Sequence, residues 1–156
     1  MKQFLDFLKY DCDSGIFTWV VSPSSRAPVG SVAGRLQSLG YRQIKLRGAR
    51  VYAHRLAWFF ATGKQPEYEI DHINGERDDN RFCNLRDVPR RINVQNQHKT
   101  RKKAGLLGAA KDKNGRWKTS VTTDGVVFRQ SGFATEIEAN AAYLAQKRIR
   151  HEGFAL

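Results

Sequence analysis

The 156-residue chain is poor in cysteine, with only Cys12 and Cys83. Two isolated thiols form neither a disulfide framework nor a four-ligand zinc site, so we expect reduced cysteines and no structural zinc. The sequence also lacks an apolar run long enough to cross a bilayer, and its first ten residues lack the core of a signal peptide. These absences predict a cytoplasmic protein that is not bound to a membrane.

Acidic residues are missing from two long stretches of the chain. None lies between Ser14 and Pro66, which enclose eight lysines and arginines, and Asp112 is the only one from Pro89 to Thr123, which contain ten. Seven of the fifteen acidic residues lie instead between Glu67 and Asp87. With a net charge of +12, this pattern favours basic segments that hold a polyanion such as a nucleic acid, around an acidic centre that attracts a cation.

Four residues in the centre of the chain have the chemistry of a phosphodiester-cleaving site. Hydrolysis needs a base for water and a cation that stabilises charge on the phosphate. His72 can be that base, because a neutral imidazole accepts protons near neutral pH. The Asp71 carboxylate and the Asn93 side-chain carbonyl are the oxygen ligands that one hard divalent cation prefers. Asn84 lies between them in the sequence.

Local patterns predict a hairpin and a helix around these residues. Residues 68–72 and 84–88 are predicted strands, and a helix is predicted from Arg90 to about Lys99. Consecutive side chains of a strand point to opposite faces, so metal and base could lie on two sides of one phosphate. Asn84 would hold the two strands together and help to aim His72. Asn96 and His98 remain alternatives to Asn93, because a three-residue offset keeps nearly the same helical face.

This arrangement resembles the ββα-metal fold of the HNH homing endonucleases of phages, in the subtype with Asn at the third position. The resemblance continues upstream through residues 52–58 and Gly40-Tyr41, and covers most of residues 1 to about 100. It implies that Asp71 and Asn93 bind one metal ion, that His72 is the general base and that Asn84 is structural. The implied metal is Mg²⁺, with Mn²⁺ able to substitute, and the implied partner is double-stranded DNA. The oligomeric state is open, with a monomer favoured, and a phage protein would act in the host cytoplasm.

The C-terminal third predicts a small sheet followed by one helix. Residues 106–110, 116–122 and 126–133 are predicted strands, joined by Asn114-Gly115 and Asp124-Gly125 turns. A helix is predicted from about Glu136 to Arg150, with Thr135 and Glu138 at the spacing of a capping box. Four residues give this helix an apolar face: Ile137, Ala141, Leu144 and Ala145.

This segment resembles the Apetala-two type of DNA-binding domain, a three-stranded sheet backed by one helix. The matching residues are Gly115-Arg116-Trp117, Gly132-Phe133 and Ala141-Ala142-Tyr143. The resemblance implies that Arg116, Trp117 and Arg129 contact DNA in the major groove. Trp117 has an equal alternative as a core residue, because aromatic residues of small sheets usually pack against the helix.

The sequence therefore predicts an α+β chain of two modules: a nuclease domain at residues 1–100, with its ββα-metal unit at about 67–100, and a DNA-binding domain at 101–156. The basic residues expected to contact DNA outside the sheet are Arg42, Lys45, Arg47, Arg55, Arg101, Lys102 and Lys103. We expect His54 to be packed or to face a phosphate, and His151 to end a helix. Two alternatives remain, a non-catalytic DNA-binding protein with this fold and an RNA-cleaving nuclease with a similar site.

Overall fold

A computed structural model describes residues 1–96 and 105–154 of the chain, which has a mixed α and β fold. The chain divides into two compact units, Met1–Arg90 and Arg91–Leu156. This division falls at the start of the helix predicted after the hairpin, whereas the sequence suggested a boundary near residue 100. Among the described residues, no helix is long and apolar enough to cross a membrane.

The first unit contains three antiparallel groups of strands. The pairs are β1 with β2 and β6 with β7, and a three-stranded sheet has the order β3-β4-β5. The strand bounds are Leu8–Asp11 (β1), Ile16–Trp19 (β2), Arg35–Leu36 (β3), Arg42–Leu46 (β4), Ala49–Tyr52 (β5), Glu69–His72 (β6) and Leu85–Val88 (β7). The predicted hairpin around Asp71 and His72 is confirmed as β6 and β7.

One helix, α1 (Ala53–Thr62), packs into the core of this unit through Leu56 and Ala57. It ends at Gly63, whose φ of 71° is the left-handed cap that glycine adopts without a steric penalty. The other core residues come from the strands and the N-terminal turn, and they include Phe4, Leu8, Phe17, Trp19, Ile44, Leu46, Ile70 and Leu85. This core fixes the base of the β6–β7 hairpin, because Ile70 and Leu85 belong to both.

The N-terminal segment differs from the sequence expectation. The spacing of its apolar residues at positions 4, 5, 7 and 8 suggests one helix packed on the sheet. The structure has a short 3₁₀ turn, Lys2–Phe4, followed by strand β1. Phe4 and Leu8 are buried in the structure, as they would be in the predicted helix. Four apolar positions are too few to distinguish a helix from a turn and strand, so pairing with β2 decides the backbone.

The second unit contains a three-stranded antiparallel sheet of order β8-β9-β10, with helix α3 against it. Its elements are α2 (Arg90–Gln95, whose first residue belongs to the first unit), β8 (Ala109–Lys111), β9 (Trp117–Thr123), β10 (Val126–Phe133) and α3 (Glu136–Arg150). Asp124 and Gly125 both have positive φ, 51° and 80°, as a two-residue hairpin turn requires. The predicted sheet and turns are confirmed, although β8 lies later in the chain than expected.

Helix α3 begins and ends as predicted, and its capping box is present. Thr135 accepts the N–H of Glu138, and the Glu138 carboxylate accepts the N–H of Thr135. The apolar face predicted from the sequence is not the buried side of the helix, however, because Ile137 is 72% exposed. The helix packs instead through the opposite side, where Ala139 and Lys147 are buried.

The buried Lys147 explains this difference. Its amine lies 4.2 Å from the ring centre of Phe154 and 5.5 Å from that of Tyr143, and its aliphatic stem is covered. Burial lowers the pKa of Lys147 to about 8. The aliphatic stem of a lysine can cover apolar surface in the same way as an aliphatic side chain. A sequence pattern that divides residues into polar and apolar treats lysine as polar, so it does not predict this burial.

Helix α2 packs against the C-terminal end of the same unit. The backbone N–H of Gly153 donates to the Gln95 side chain at 3.1 Å, and Arg91 pairs with Glu152 at 3.7 Å. A side chain at Gly153 would collide with the carbonyl of Ile92, so only glycine permits this approach. The helix is therefore part of the second compact unit.

Candidate active site on the β6–β7 hairpin

The hairpin places Asp71 and His72 side by side at the end of β6. Both are buried, at 6% and 4% exposure. Asp71 pairs with Arg86 across the strands, and the guanidinium donates two hydrogen bonds, of 2.9 and 2.8 Å, to the same carboxylate oxygen, Oδ2. Charge-assisted bonds of this kind fix a carboxylate in one orientation.

His72 lies in an aromatic and polar enclosure. The ring of His54 meets it edge-on at a centroid distance of 5.2 Å, and Tyr41 lies at 6.0 Å. Burial lowers the pKa of His72, against the opposing effects of the Asn80 side chain and of the Asp71 charge. A histidine with a lowered pKa is neutral near neutral pH, which is the form that accepts a proton.

Asn84 ties together the loop that joins the two strands. Its side-chain oxygen accepts the N–H of Asn74 at 3.0 Å, and its amide donates to the Asn74 side chain at 3.0 Å and to the Asp79 carbonyl at 2.9 Å. The Asn84 carbonyl also accepts the N–H of Ile73. These contacts suit a residue that holds the two strands together, as predicted for Asn84. The effect of Asn84 on catalysis stays a prediction.

Asn80 belongs to the surroundings of His72 and was missed by the sequence reading. It is almost fully buried, at 1% exposure, and its backbone carbonyl accepts the Tyr10 hydroxyl at 2.7 Å. Gly15, with φ of 73°, lies so close to the backbone of Asn80 that any side chain there would collide with it. The sequence gives only an asparagine in a polar loop, and the contacts come from residues about seventy positions away.

His54 is packed, as one of the two expectations for it stated. It lies in the first turn of α1, with its ring stacked on Tyr52 at 5.6 Å and tilted against Tyr41 at 5.3 Å. Burial, with the neighbouring His72 and Arg55, lowers the pKa of His54 to about 3. Its Nδ1 atom is buried and has no hydrogen-bond partner among the described residues. His54 is therefore a neutral side chain against the proposed base.

The proposed third member of the site, Asn93, lies in α2 and is half-buried. The N–H of Asn96 donates to the Asn93 carbonyl at 3.1 Å, and Asn96 is itself buried. His98 lies outside the described residues. Because α2 beyond Arg90 belongs to the second unit, the pairing of Asn93 with Asp71 stays a prediction.

The donor atoms of Asp71 and Asn93 suit a hard cation, since both offer oxygen. Among the described residues, three His, Cys, Asp or Glu side chains come within metal-binding reach of one another at Asp11, Cys12 and Asp13. All three are exposed and far from the predicted site in the sequence, and the Asp11 carboxylate accepts the backbone N–H groups of Asp13 and Ser14. The Asp11 carboxylate of this cluster therefore closes a turn.

The basic residues predicted to contact DNA have different surroundings. The Arg42 guanidinium donates two hydrogen bonds, of 2.9 and 2.8 Å, to the two carboxylate oxygens of Asp78. This ion pair occupies one edge of the guanidinium. The Arg47 guanidinium covers the Phe7 ring at 4.7 Å. Lys45 is exposed and Arg55 is half-buried. Arg101, Lys102 and Lys103 lie outside the described residues.

Two of the remaining candidates for DNA contact, Trp117 and Arg129, lie on opposite sides of the sheet of the second unit. Trp117 shares its side with the buried Thr119 and Val121, which favours its core alternative, and the Lys111 amine lies 5.3 Å from its ring centre. Arg129 pairs with Ser120 on the opposite, open side. Arg116 is exposed in the turn before β9. The side chains of the open side are all exposed, and none is acidic: Lys118, Ser120, Thr122, Val127, Arg129 and Ser131.

Comparison with protein families gives one match. Residues 51–95 match the HNH endonuclease family. This HNH segment covers less than half of the chain, and no curated protein or solved structure matches the chain. It contains Asp71, His72, Asn84 and Asn93, and also His54. The match supports a nuclease of the HNH type for this part of the molecule.

Proposed function

We propose that the chain is a metal-dependent endonuclease that hydrolyses phosphodiester bonds of double-stranded DNA, of the homing endonuclease type. The observation that carries the proposal is a buried histidine of lowered pKa, His72, next to the Asp71 carboxylate on a braced hairpin. That hairpin lies within the HNH segment. HNH nucleases generally use a divalent metal and typically act on DNA, which agrees with a net charge of +12.

In this mechanism His72 accepts the proton of the attacking water. Its neutral state near neutral pH allows it to do so, and its burial limits the orientations of the ring. Asp71 and Asn93 would hold the metal ion, for which we propose Mg²⁺, with Mn²⁺ as a substitute. When bound, the ion stabilises the negative charge that builds on the phosphate and on the leaving 3′ oxygen.

Asn84 acts on the loop of the hairpin, and Asn80 acts on the charge state of His72. Asn84 holds the 73–84 loop closed through its bonds to Asn74 and Asp79. The Asn80 side chain next to His72 favours the protonated ring, against the larger opposing effect of burial.

Basic side chains supply affinity in this proposal. Salt-dependent phosphate contacts carry most of the affinity of such enzymes for DNA. The open side of the β8-β9-β10 sheet is acid-free and includes Lys118 and Arg129, which supports a DNA-binding module resembling the Apetala-two type. Arg116, in the turn beside this sheet, is a further candidate contact. Arg42 is a weaker candidate than the sequence suggested, because Asp78 occupies its guanidinium.

One observation favours a second function, a DNA-binding protein without catalysis. Arg86 holds the Asp71 carboxylate in a largely buried ion pair, with Asp71 at 7% and Arg86 at 23% side-chain exposure. A structural ion pair of this kind satisfies the carboxylate without any metal. In that case the hairpin would retain the fold and the DNA affinity while Asp71 binds no cation.

The deciding experiment incubates the purified chain with supercoiled plasmid in Mg²⁺, in Mn²⁺ and in chelator. Nicked or linear DNA that forms only with metal supports the endonuclease. DNA binding without cleavage in either metal supports the second function. A labelled RNA of the same length tests the remaining class: preferential metal-dependent cleavage of RNA would overturn the assignment of DNA as substrate.

Asp71→Asn and His151→Ala complete the design. Asp71→Asn removes the charge that attracts the cation but keeps the size of the side chain, so metal-dependent cleavage should fall. His151 lies at the end of α3, outside the HNH segment, so its replacement should leave cleavage unchanged. Circular dichroism melting of both variants excludes unfolding as the cause of a lost activity.

A further inference from the structure

Helix α3 has an outer apolar stripe that the described parts of the chain do not cover. We define the outer stripe as Ile137, Ala141, Ala145 and Ile149. All four are exposed, and Ile149 at 75% and Ile137 at 72% are the two most exposed large apolar side chains in the described ranges. The helix buries its opposite side, which contains Ala139 and Lys147.

The four residues form one continuous surface because they recur every four positions. At 3.6 residues per turn and 1.5 Å per residue, they follow a gently slanted row about 18 Å long. The two alanines occupy the middle of the row, where their small side chains allow another helix to approach closely. The bulky isoleucines occupy its ends, where they can pack around a neighbouring helix.

The order of residues along the stripe is symmetric about Tyr143. Ile137 and Ile149 are equally distant from that position, and so are Ala141 and Ala145. A second α3 lying antiparallel would place an isoleucine at the level of an isoleucine and an alanine at the level of an alanine. A two-fold interface has this property, because the same surface patch serves both partners.

The charges beside the stripe select the antiparallel arrangement. Glu138 lies near the start of the helix and Arg148 near its end, both exposed and equally distant from Tyr143. In an antiparallel pair, Glu138 of one copy lies at the level of Arg148 of the other, twice. In a parallel pair, glutamate would meet glutamate and arginine would meet arginine, which is repulsive. The surface is therefore complementary to itself in one direction only.

We propose that two copies of the chain associate through the outer stripe of α3 as an antiparallel two-fold pair. The occupant is a second copy because the apolar pattern and the charge pattern share one centre of symmetry. A single helix pair buries little surface compared with an obligate dimer, so the association is concentration-dependent. The proposal does not depend on nuclease activity.

The first test is analytical ultracentrifugation of the full chain without DNA, from about 1 to about 200 μM, where weak interfaces associate. The weight-average mass should rise from the 17.8 kDa of the monomer towards twice that value. Ile137→Glu and Ile149→Glu should each weaken the dissociation constant at least about tenfold by placing a charge in the apolar contact. A mass that stays monomeric throughout the range overturns the proposal, as does a dimer that neither variant weakens.

Two further variants serve as controls for this test. Leu39→Glu alters another highly exposed apolar residue, at 66% exposure in the first unit, and should leave the concentration dependence unchanged. Arg148→Glu places two carboxylates at the same level and should weaken association, most strongly at low salt. The charge test uses Arg148 because Glu138 also caps the helix. Association that is insensitive to Arg148→Glu at low salt contradicts the proposed charge pairing.

Disulfide trapping tests the direction of the helices. In a Cys12→Ser and Cys83→Ser background, Ala141→Cys and Ala145→Cys proteins are oxidised separately and as a mixture. The antiparallel pair predicts that the mixed 141-to-145 dimer forms fastest, because those positions share a level. Faster self-linking at 141 indicates a parallel pair and overturns the proposal. This readout also detects a weak dimer that dissociates during sedimentation.

Discussion

The surroundings of His72, rather than its place in the sequence, make it suited to act as a base. Its ring lies against His54 and Tyr41, and burial lowers its pKa. His54, with its pKa lowered to about 3, adds no positive charge beside it near neutral pH. Both histidines are therefore neutral near neutral pH, and the Asp71 charge offsets the effect of burial on the pKa of His72 only in part.

Replacing His72 by alanine should abolish cleavage and leave DNA affinity nearly unchanged. Removing a general base typically costs about 10² to 10⁴ in rate, whereas phosphate contacts from basic side chains carry the affinity. Single-turnover plasmid cleavage measures the rate, and a fluorescence binding curve at fixed salt measures the affinity. An unchanged rate would assign the base to another residue.

His54 should make the protein less stable in acid. Its pKa is about 3 in the folded state and about 6.5 when unfolded, so between these values the unfolded chain binds the extra proton. The contribution of His54 to stability therefore decreases as pH falls from about 6.5 towards 3, by up to about 1.4 kcal/mol per pH unit. Above that window the contribution is constant.

The variant His54→Phe keeps an aromatic ring but cannot titrate. Urea unfolding of both proteins at pH 7 and at pH 4.5 should show a smaller loss of free energy of unfolding for the variant. Because both proteins keep His72, the difference between their losses of free energy of unfolding reports on His54. Equal losses for the two proteins would mean that His54 is protonated in the folded state.

At the scale of elements, the Asn84 side chain helps to close the long loop of the β6–β7 hairpin. Asn84 makes three side-chain hydrogen bonds to residues 74 and 79, and it is buried. Asn84→Ala leaves those partners without their bonds, which typically costs about 1 to 3 kcal/mol for each buried group that stays unsatisfied. We therefore expect both a lower melting temperature and lower activity.

A matched control for Asn84→Ala is Asn114→Ala, an asparagine in the exposed turn before β9. It should shift the melting temperature much less, because water replaces any lost bond there. Activity that falls in Asn84→Ala while the melting temperature is unchanged would assign Asn84 a role in catalysis rather than in bracing the loop. Differential scanning calorimetry and the plasmid assay supply the two measurements.

Local signals explain why much of the element order could be predicted. The strands around Asp71 and Asn84, the Asp124-Gly125 turn and the capping box of α3 depend on residues near one another in the chain, and all are present. The inward face of α3 could not be predicted, because it depends on the buried stem of Lys147. The neighbours of His72 are also distant in sequence: Tyr41 and His54 come from other elements.

At the scale of the whole molecule, the second compact unit begins at Arg91 and therefore includes most of helix α2. Helix α2, which carries the proposed ligand Asn93, packs through Ile92 and Gln95 against Gly153. Deleting the segment after residue 105 would therefore remove the support of a helix that contributes to the proposed site. Loss of activity in such a truncation would not distinguish DNA binding from the loss of this packing.

Substitution of Arg129 tests the second unit without that complication. Arg129 is exposed on the open side of the sheet, opposite Ser120, so its replacement should not disturb the α3 side. If Arg129 contacts a base edge, Arg129→Ala should cost about 1 to 3 kcal/mol of binding free energy and relax preference at one position of the site. The cleavage rate at saturating protein should be unchanged, because the proposed base His72 lies on the hairpin and not on this sheet.

Arg129→Lys distinguishes the two kinds of contact that an arginine makes with DNA. Lysine keeps the charge but loses the planar fork, so it should preserve a phosphate contact and fail to replace a bidentate base contact. Binding to a randomised DNA library, at two salt concentrations, measures both affinity and preference. A uniform loss in Arg129→Ala with recovery in Arg129→Lys assigns Arg129 to the phosphate backbone. Unchanged affinity and preference in both variants would mean that the open side of the sheet does not face DNA at Arg129.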